Sequence, residues 1–275
     1  MNIPESGILA IWGDAGRELS SLPAGSVQCC VTSPPYFGLR DYGTEGQIGL
    51  EPTPEAYVAN LVSVFREVRR VLRADGTLWL NIGDSYASGG RTYRAPDRKD
   101  SKGGRVTGTF RPTDPEGIKP KDMLGIPWAL AFALRADGWY LRQDIIWSKP
   151  NPMPESVADR CTRAHEYVFL LSKSERYYFD REASLEADVA GGRRNRRSVW
   201  TLPTKAYKGA HFATFPPMLV EICLLAGSKP GDIVLDPFGG SGTTSFVAQK
   251  LGRRSIYVDL SPAYVELACA RWETT

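Results

Sequence analysis

Two short stretches of this 275-residue chain combine side chains suited to chemistry. The first is Thr32-Ser33-Pro34-Pro35-Tyr36, which follows the apolar run Val27–Val31. Two consecutive prolines fix φ and remove two N–H donors, so the carbonyls before them are held rigidly and cannot be drawn into a helix. A hydroxyl, stiff carbonyl acceptors and an aromatic ring together suit the alkylation of an aryl amine. The lone pair of such an amine is delocalised into its ring, which makes it a poor nucleophile. Acceptors on its two hydrogens localise the lone pair and favour attack on an electrophilic methyl group. Ser33 Oγ and a backbone carbonyl of Ser33 or Pro34 would be those acceptors, and Tyr36 would stack on the base face. A nucleobase amine is inaccessible inside a duplex, so the base would have to be extruded into this pocket.

The second stretch is Ile233-Val234-Leu235-Asp236-Pro237-Phe238-Gly239-Gly240-Ser241-Gly242-Thr243-Thr244, which reads as strand, turn and helix. Its glycines let backbone pass close to a ligand. The helix that follows offers free N–H groups and a positive dipole end to a carboxylate. Asp259 ends the next predicted strand about twenty residues after Gly240, a spacing at which an acid binds ribose hydroxyls. The pattern is not GxGxxG, and no GKS/T follows it, which disfavours a nucleoside triphosphate.

These residues need a rigid frame. Short apolar runs predict strands at Ile8–Trp12, Val27–Thr32, Thr77–Ile82, Asp144–Trp147, Tyr167–Leu171, Ile233–Leu235 and Ser255–Val258. Thr53-Pro54 reads as N-cap and first residue of a helix to about Leu72, with Tyr57, Leu61, Val64, Phe65, Val68, Val71 and Leu72 on its inward stripe. Ser261-Pro262 opens a last helix in the same way. Further helices are expected near Ile126–Arg135, Pro217–Leu225 and Thr243–Leu251. Apolar strands alternating with helices indicate an α/β fold with a largely parallel sheet, whose ligands sit at the strand C-termini.

Composition removes several classes. Hydrophobic residues make up 42% of the chain, enough for a core, and the net charge of +3 says little about a polyanionic partner. The five cysteines form no CxxC pair, and His165 and His211 lie outside any ligand spacing, so no metal is expected. Scattered cysteines suit a reduced, cytoplasmic protein, and no stretch reaches about 18 uninterrupted apolar residues.

In combination and in order, these motifs resemble the amino-methyltransferase family of DNA methylases, in particular its circularly permuted β group. Val31 to Tyr36 matches that family's catalytic motif in the Thr-Ser-Pro-Pro-Tyr form associated with N4-cytosine enzymes. Asp236 to Thr243 matches its S-adenosyl-L-methionine (AdoMet) motif, and catalytic before cofactor motif is the β-group order. Gly13-Asp14, Gly138-Trp139, the stretch from Asp144 to Lys149, His165-Glu166-Tyr167 and the stretch from His211 to Pro216 resemble further motifs, so the likeness covers nearly the whole chain. It implies a Rossmann-like sheet of seven strands with helices on both faces, in a single domain over residues 1–275. It also implies that Ser33, Pro34, Pro35 and Tyr36 hold the target base. Thr32, Asp236, Phe238, Gly240, Ser241, Gly242 and Thr243 would surround AdoMet, Asp259 would bind its ribose, and Asp14, Phe212 and Thr214 would line the same pocket. No metal enters this chemistry, and the amine's proton can leave to water.

Double-stranded DNA would be met by two basic segments. The stretch 86–121 includes Arg91, Arg94, Lys102 and Arg105, and the variable segment 181–210 includes Arg193, Arg194, Arg196 and Arg197. These side chains would neutralise phosphates or read guanine edges. The resemblance further implies a bacterial or phage origin; the chain carries no recognisable nuclease motif, so a companion restriction endonuclease would be a separate protein. C5-cytosine methylation is excluded. It needs a cysteine nucleophile, which its family places directly after proline, and this chain has no such pair. N4 of cytosine is the expected target. N6 of adenine is the chemical alternative, and a DNA-binding relic without catalysis is the alternative of another class.

Overall fold

The computed structural model describes residues 3–5, 7–39, 43–87, 117–188, 191–204 and 215–273. The elements run β1 (Ile8–Trp12), α1 (Ala15–Ser20), β2 (Val27–Thr32), α2 (Pro54–Val71), β3 (Leu72–Ile82), α3 (Ile126–Ala136), β4 (Tyr140–Ser148) and β5 (His165–Ser172). They continue with α4 (Arg181–Ser184), β6 (Glu186–Ala187), β7 (Arg193–Arg194), β8 (Val199–Thr201), α5 (Pro217–Gly227), β9 (Ile233–Asp236), α6 (Thr243–Lys250), β10 (Arg254–Asp259) and α7 (Pro262–Glu273).

All seven predicted strands lie in one sheet, and an eighth, β8, is added at its edge. The order is β1-β10-β9-β2-β3-β5-β4-β8. Neighbours are parallel except where β5 runs against β3 and β4. β8 is three residues long and pairs with the end of β4, Val199 opposite Ile146. A run that short has no period of its own, which is why the sequence did not disclose it. The strands β6 and β7 form a separate two-stranded ribbon.

The chain ends meet within the sheet, because β1 pairs in parallel with β10 from Ile8–Ser255 to Trp12–Asp259. Helices cover both faces. α1, α2 and α3 pack over one through Leu19, Leu61, Phe65, Val68 and Leu130, and α5 and α6 over the other through Val220, Leu224 and Ala248. β2 is buried along its whole length. Its cysteines alternate between the layers, Cys30 facing the first and Cys29 the second. Burial raises both thiols, Cys29 to about 12, as befits core residues.

α2 begins as the sequence requires, with Thr53 Oγ1 accepting from Ala56 N at 3.2 Å. It stops one residue short of Leu72, which turns into β3. From β2 the chain crosses through α2 to β3 on one side, and from β9 it crosses through α6 to β10 on the other. β2 and β9 are themselves adjacent. Their C-termini thus flank the crevice where the winding reverses, the place at which open parallel sheets bind ligands.

Candidate active site

Thr32 ends β2 and Asp236 ends β9, side by side at the reversal point. Thr32 Oγ1 donates to Asp236 Oδ1 at 2.7 Å, and Phe238 N donates to the same oxygen at 3.2 Å. Thr244 Oγ1 on α6 donates to the Val31 carbonyl at 3.2 Å. Asp236 is buried, and burial pushes its carboxyl up to about 6 against the pull of the Thr32 hydrogen bond. Its Oδ2 is buried with no partner among the described residues.

Past Thr32 the two prolines turn the backbone. The Pro35 carbonyl is occupied by Tyr57 Oη at 2.7 Å, and the Tyr36 carbonyl by Leu39 N at 3.3 Å. The carbonyls of Ser33 and Pro34 accept no hydrogen bond among the described residues. They are the two acceptors the sequence marked as free. Ser33 Oγ lies 3.3 Å from Tyr36 Oη, to which it donates. The Tyr36 hydroxyl in turn donates to Glu166 Oε2 at 2.7 Å. Its ring packs over Gly83, where an added Cβ would stand 2.8 Å from Cε2.

Sequence reasoning did not find the partners of this tyrosine. Asn81 on β3 places Nδ2 2.8 Å from Tyr36 Oη, 2.8 Å from Glu166 Oε2 and 3.4 Å from Ser33 Oγ. Lys149, just past β4, forms an ion pair with the other oxygen of Glu166, and its ammonium stands 4.3 Å from the centre of the Trp147 ring. Lys149 and Glu166 stood within family-like stretches with no role attached. Only the antiparallel pairing of β5 with β3 and β4 brings them to Tyr36.

On the other side of the crevice the glycines divide their work. Gly239 lies against Tyr257, whose Cδ2 and Cε2 would be 2.1 Å from an added Cβ, and Gly242 lies against Trp272 at 2.7 Å. Gly240 has φ of 50° and nothing within 4 Å of such a Cβ. Asp259, at the end of β10, accepts from Gly240 N through Oδ2 and from Ser261 N through Oδ1, both at 2.8 Å. Burial raises its carboxyl, offset by these two bonds. Ser241 and Thr243 are buried, and Arg271 of α7 reaches the Ser241 carbonyl at 2.9 Å and Thr243 Oγ1 at 3.0 Å. Their hydroxyls brace the turn. Asp14 is exposed and caps α1, accepting from Arg17 N at 2.9 Å. It stands at the end of β1 beside Asp259, whose carbonyl takes the Gly13 N–H at 3.0 Å.

This arrangement has known counterparts. A family model described as DNA methylase, of the N6/N4 amino class, matches residues 27–270. The type II methyltransferase M.Cfr9I of Citrobacter freundii is 58% identical over 259 residues, covering 94% of this chain and 85% of that one. Among solved structures, the putative DNA modification methylase TTHA0409 of Thermus thermophilus, complexed with S-adenosyl-L-methionine, superposes with a TM-score of 0.67 at 29% identity, over 97% of this chain and 93% of its own. The PvuII DNA methyltransferase (cytosine-N4-specific) shares the fold, with a TM-score of 0.72 at 22% identity over 98% and 90% of the two chains. The chain belongs to the N6/N4 amino DNA methyltransferase family.

The cofactor of this methyltransferase is AdoMet, and the crevice fits it. The orphaned Asp236 Oδ2 would complement a cationic group, the open face of Gly240 leaves room for backbone-close binding, and Asp259 ends the next strand, where an acid can meet ribose hydroxyls. α6 begins at Thr243 after a Gly242 cap that lends no side-chain bond, so its first N–H groups face outward for a carboxylate. Phe212 and Thr214 lie outside the described residues.

So do Arg91, Arg94, Lys102 and Arg105. The stem of their segment is described. Tyr86 and Met123 form an antiparallel bridge, Ala87 N bonds Asp122 O at 2.8 Å, and Leu124 N bonds Ser85 O at 2.9 Å. This stem leaves the end of β3, beside Asn81 and Tyr36. The guanidinium groups of Arg160 and Arg163 cover the Tyr86 ring at 4.0 and 4.9 Å. The other basic cluster is largely neutralised. Arg194 pairs with Glu186 at 3.0 Å and Asp188 at 2.9 Å, Arg196 pairs with Glu186 at 3.8 Å, and Arg193 bonds the Glu182 carbonyl at 2.8 Å. Arg197 is exposed. The cluster precedes β8, which pairs with the last three residues of β4. Among the described residues no helix is long and apolar enough to cross a membrane.

Proposed function

We propose that this methyltransferase modifies N4 of cytosine in double-stranded DNA, on a base extruded from the duplex. The observation that carries the reading is Ser33. Just past β2 it brings a hydroxyl to the same turn as two carbonyls, its own and that of Pro34, that accept no hydrogen bond among the described residues. Serine at this place in the motif is the form associated with cytosine enzymes. When bound, AdoMet supplies an electrophilic methyl group. Ser33 Oγ and the carbonyl of Ser33 or Pro34 hold the two amine hydrogens so that the nitrogen lone pair points outward, and Tyr36 backs the base. Holding the amine in line in this way accounts for much of the rate, since positioning alone is worth about 7–11 kcal/mol in favourable cases.

The same reading assigns the cofactor contacts to Asp14, Thr32, Asp236, Phe238, Gly240 and Asp259, with Ser241, Gly242 and Thr243 shaping the turn. It assigns DNA contact first to Arg91, Arg94, Lys102 and Arg105, because their stem opens beside the base pocket. Arg197 and Arg193 follow, and Arg194 and Arg196 come last. Relatives named as type II methyltransferases support a protective role beside a separate endonuclease in the cytoplasm.

The deciding experiment is nucleoside analysis of mixed-sequence duplex DNA after incubation with the enzyme and isotopically labelled AdoMet. Label in N4-methylcytosine is the expected result. Label in N6-methyladenine would keep the fold, cofactor and amine chemistry and overturn the assignment of Ser33 to cytosine.

A further inference from the structure

Methylation of a neutral amine leaves a cationic nitrogen that must lose one proton. The sequence alone sends this proton to water. The folded chain offers it another path. Ser33 Oγ donates to Tyr36 Oη at 3.3 Å, and Tyr36 Oη donates to Glu166 Oε2 at 2.7 Å. The two bonds point the same way, from the amine-binding hydroxyl towards a carboxylate. The titratable and charged groups that face Glu166 are Tyr36, from the segment after β2, and Lys149, at the end of β4. Both Glu166 and Lys149 have side chains largely shielded from solvent.

Asn81 fixes the direction of this chain. Its Nδ2 serves Glu166, Tyr36 and Ser33, which leaves Oδ1 buried and without a partner among the described residues. Turning the amide over would set Oδ1 against the Glu166 carboxylate, lose that contact and make Oδ1 compete with Glu166 for the Tyr36 proton. Leaving a buried acceptor without a partner is costly. The fold accepts that cost beside Ser33 and Tyr36, and a local rule broken in this way is expected at a functional site.

We propose that Glu166 is the destination of the amine proton, reached through Ser33 and Tyr36. The inference rests on the reading of Ser33 as the residue that holds the amine. As the methyl group arrives, the amine N–H bond breaks and an O–H bond forms on Ser33 Oγ. The original Ser33 proton passes to Tyr36 Oη, and the original Tyr36 proton passes to Glu166 Oε2. No electrons change owner, and the positive charge of the methylated amine is cancelled by the carboxylate. Glu166 then returns its proton to water. An aromatic amine bearing a full positive charge is a far stronger acid than a carboxylic acid, so the transfer runs downhill. Burial, and next the charge of Glu166, hold the Tyr36 hydroxyl well above its ordinary range. It therefore passes protons on without staying ionised. Lys149 holds Glu166 in place through their ion pair.

The test is single-turnover transfer of tritiated methyl from AdoMet to unmethylated mixed-sequence plasmid DNA, followed from mildly acid to alkaline pH. Glu166→Gln keeps an acceptor for Tyr36 but takes no proton. It is expected to slow transfer about 100-fold, the lower range for a lost proton acceptor, with AdoMet affinity unchanged. It should also change the shape of the wild-type pH–rate profile, which a purely structural role for Glu166 would leave as it is. Tyr36→Phe breaks the path while leaving the Lys149–Glu166 pair intact, and should slow transfer to a similar degree. Glu166→Asp should recover part of the rate. Wild-type rate and pH profile in Glu166→Gln would overturn the proposal. So would a loss of AdoMet affinity or thermal stability in step with the rate, which would make Glu166 a strut. Ser33→Ala separates the two readings. If Ser33→Ala transfers normally, the placement of the amine fails and the path with it. If it is inactive while Glu166→Gln is normal, only the path fails. The base that carries label in the wild type is read independently of all these rates.

Discussion

Thr32 Oγ1 donates a 2.7 Å hydrogen bond to Asp236 Oδ1 across 204 residues of chain. That bond joins the strand that carries the base pocket to the strand that carries the cofactor turn, and both side chains are buried. On the proposed reading it would set the separation between amine and methyl donor, and in-line displacement tolerates little error there. Asp236 is held in this position at a cost. Burial pushes its carboxyl up to about 6, above the unfolded carboxylate value of about 3.9. The stability linked to such a group is fully present below the unfolded value and is lost as pH rises through the folded one. Asp236→Asn removes that loss and keeps an acceptor for Thr32. Well above pH 6 the variant should resist urea by about 3 kcal/mol more than the wild type, and below about 4 the two should converge. Equilibrium dialysis should show weaker AdoMet binding by the variant. Equal stability at neutral pH would mean that Asp236 carries no buried charge.

Ser33→Ala deletes one acceptor and leaves the carbonyls of Ser33 and Pro34 in place. Turnover should fall by about 100- to 1,000-fold, the range for losing one preorganised polar contact to a reacting group. AdoMet affinity should stay near normal, because the Asp236 turn and Asp259 do not touch Ser33. A collapse of AdoMet binding in this variant would assign Ser33 to the cofactor instead of the base.

The cofactor turn was legible in the sequence as a glycine-rich loop, but the separate duties of its glycines were not. Gly239 and Gly242 are small because Tyr257 and Trp272 press on them, and those rings come from β10 and α7. Nothing in the local pattern Gly-Gly-Ser-Gly reports a neighbour that distant in sequence. The strands of the sheet were readable because each is an apolar run buried on both faces, as β2 is along its whole length. The antiparallel course of β5 was not, since direction leaves no mark on such a run. For the same reason Asn81, Lys149 and Glu166 went without roles, although Ser33 and Tyr36, on one proline-stiffened turn, did not.

Gly239→Ala and Gly240→Ala should therefore fail differently. At 239 a methyl group would meet the Tyr257 ring at 2.1 Å, and the buried ring has nowhere to go. The variant should lose at least about 1–3 kcal/mol of stability, as overpacked cores do. At 240 the methyl group meets nothing within 4 Å, and the positive φ of 50° costs about 1–2 kcal/mol. Its main effect should be weaker AdoMet binding, measured by titration. If Gly240→Ala binds AdoMet normally, the open face of the turn is not part of the cofactor site.

Gly83→Ala probes the base pocket without touching a polar group. The added carbon would stand 2.8 Å from Tyr36 Cε2, and the ring is pinned at its far end by Glu166 and Asn81. The ring must tilt, so transfer should slow at least about tenfold while the melting temperature changes little. Restoration of the rate by Tyr36→Phe in the Gly83→Ala background would contradict this, because the pinned hydroxyl would then be the obstacle and not the support.

Salt dependence separates the two basic segments. Each phosphate neutralised contributes a slope of about −0.9 to log K against log salt. Replacing Arg91, Arg94, Lys102 and Arg105 by alanine should flatten that slope by about one unit per residue in phosphate contact. Arg194 and Arg196 are already paired with Glu186 and Asp188, so Arg194→Ala should leave the slope unchanged and loosen the β6–β7 ribbon instead. Fluorescence anisotropy of a labelled duplex over a salt series reads the slope directly. A flatter slope in Arg194→Ala would mean that the ribbon opens on DNA and gives its arginines to phosphate.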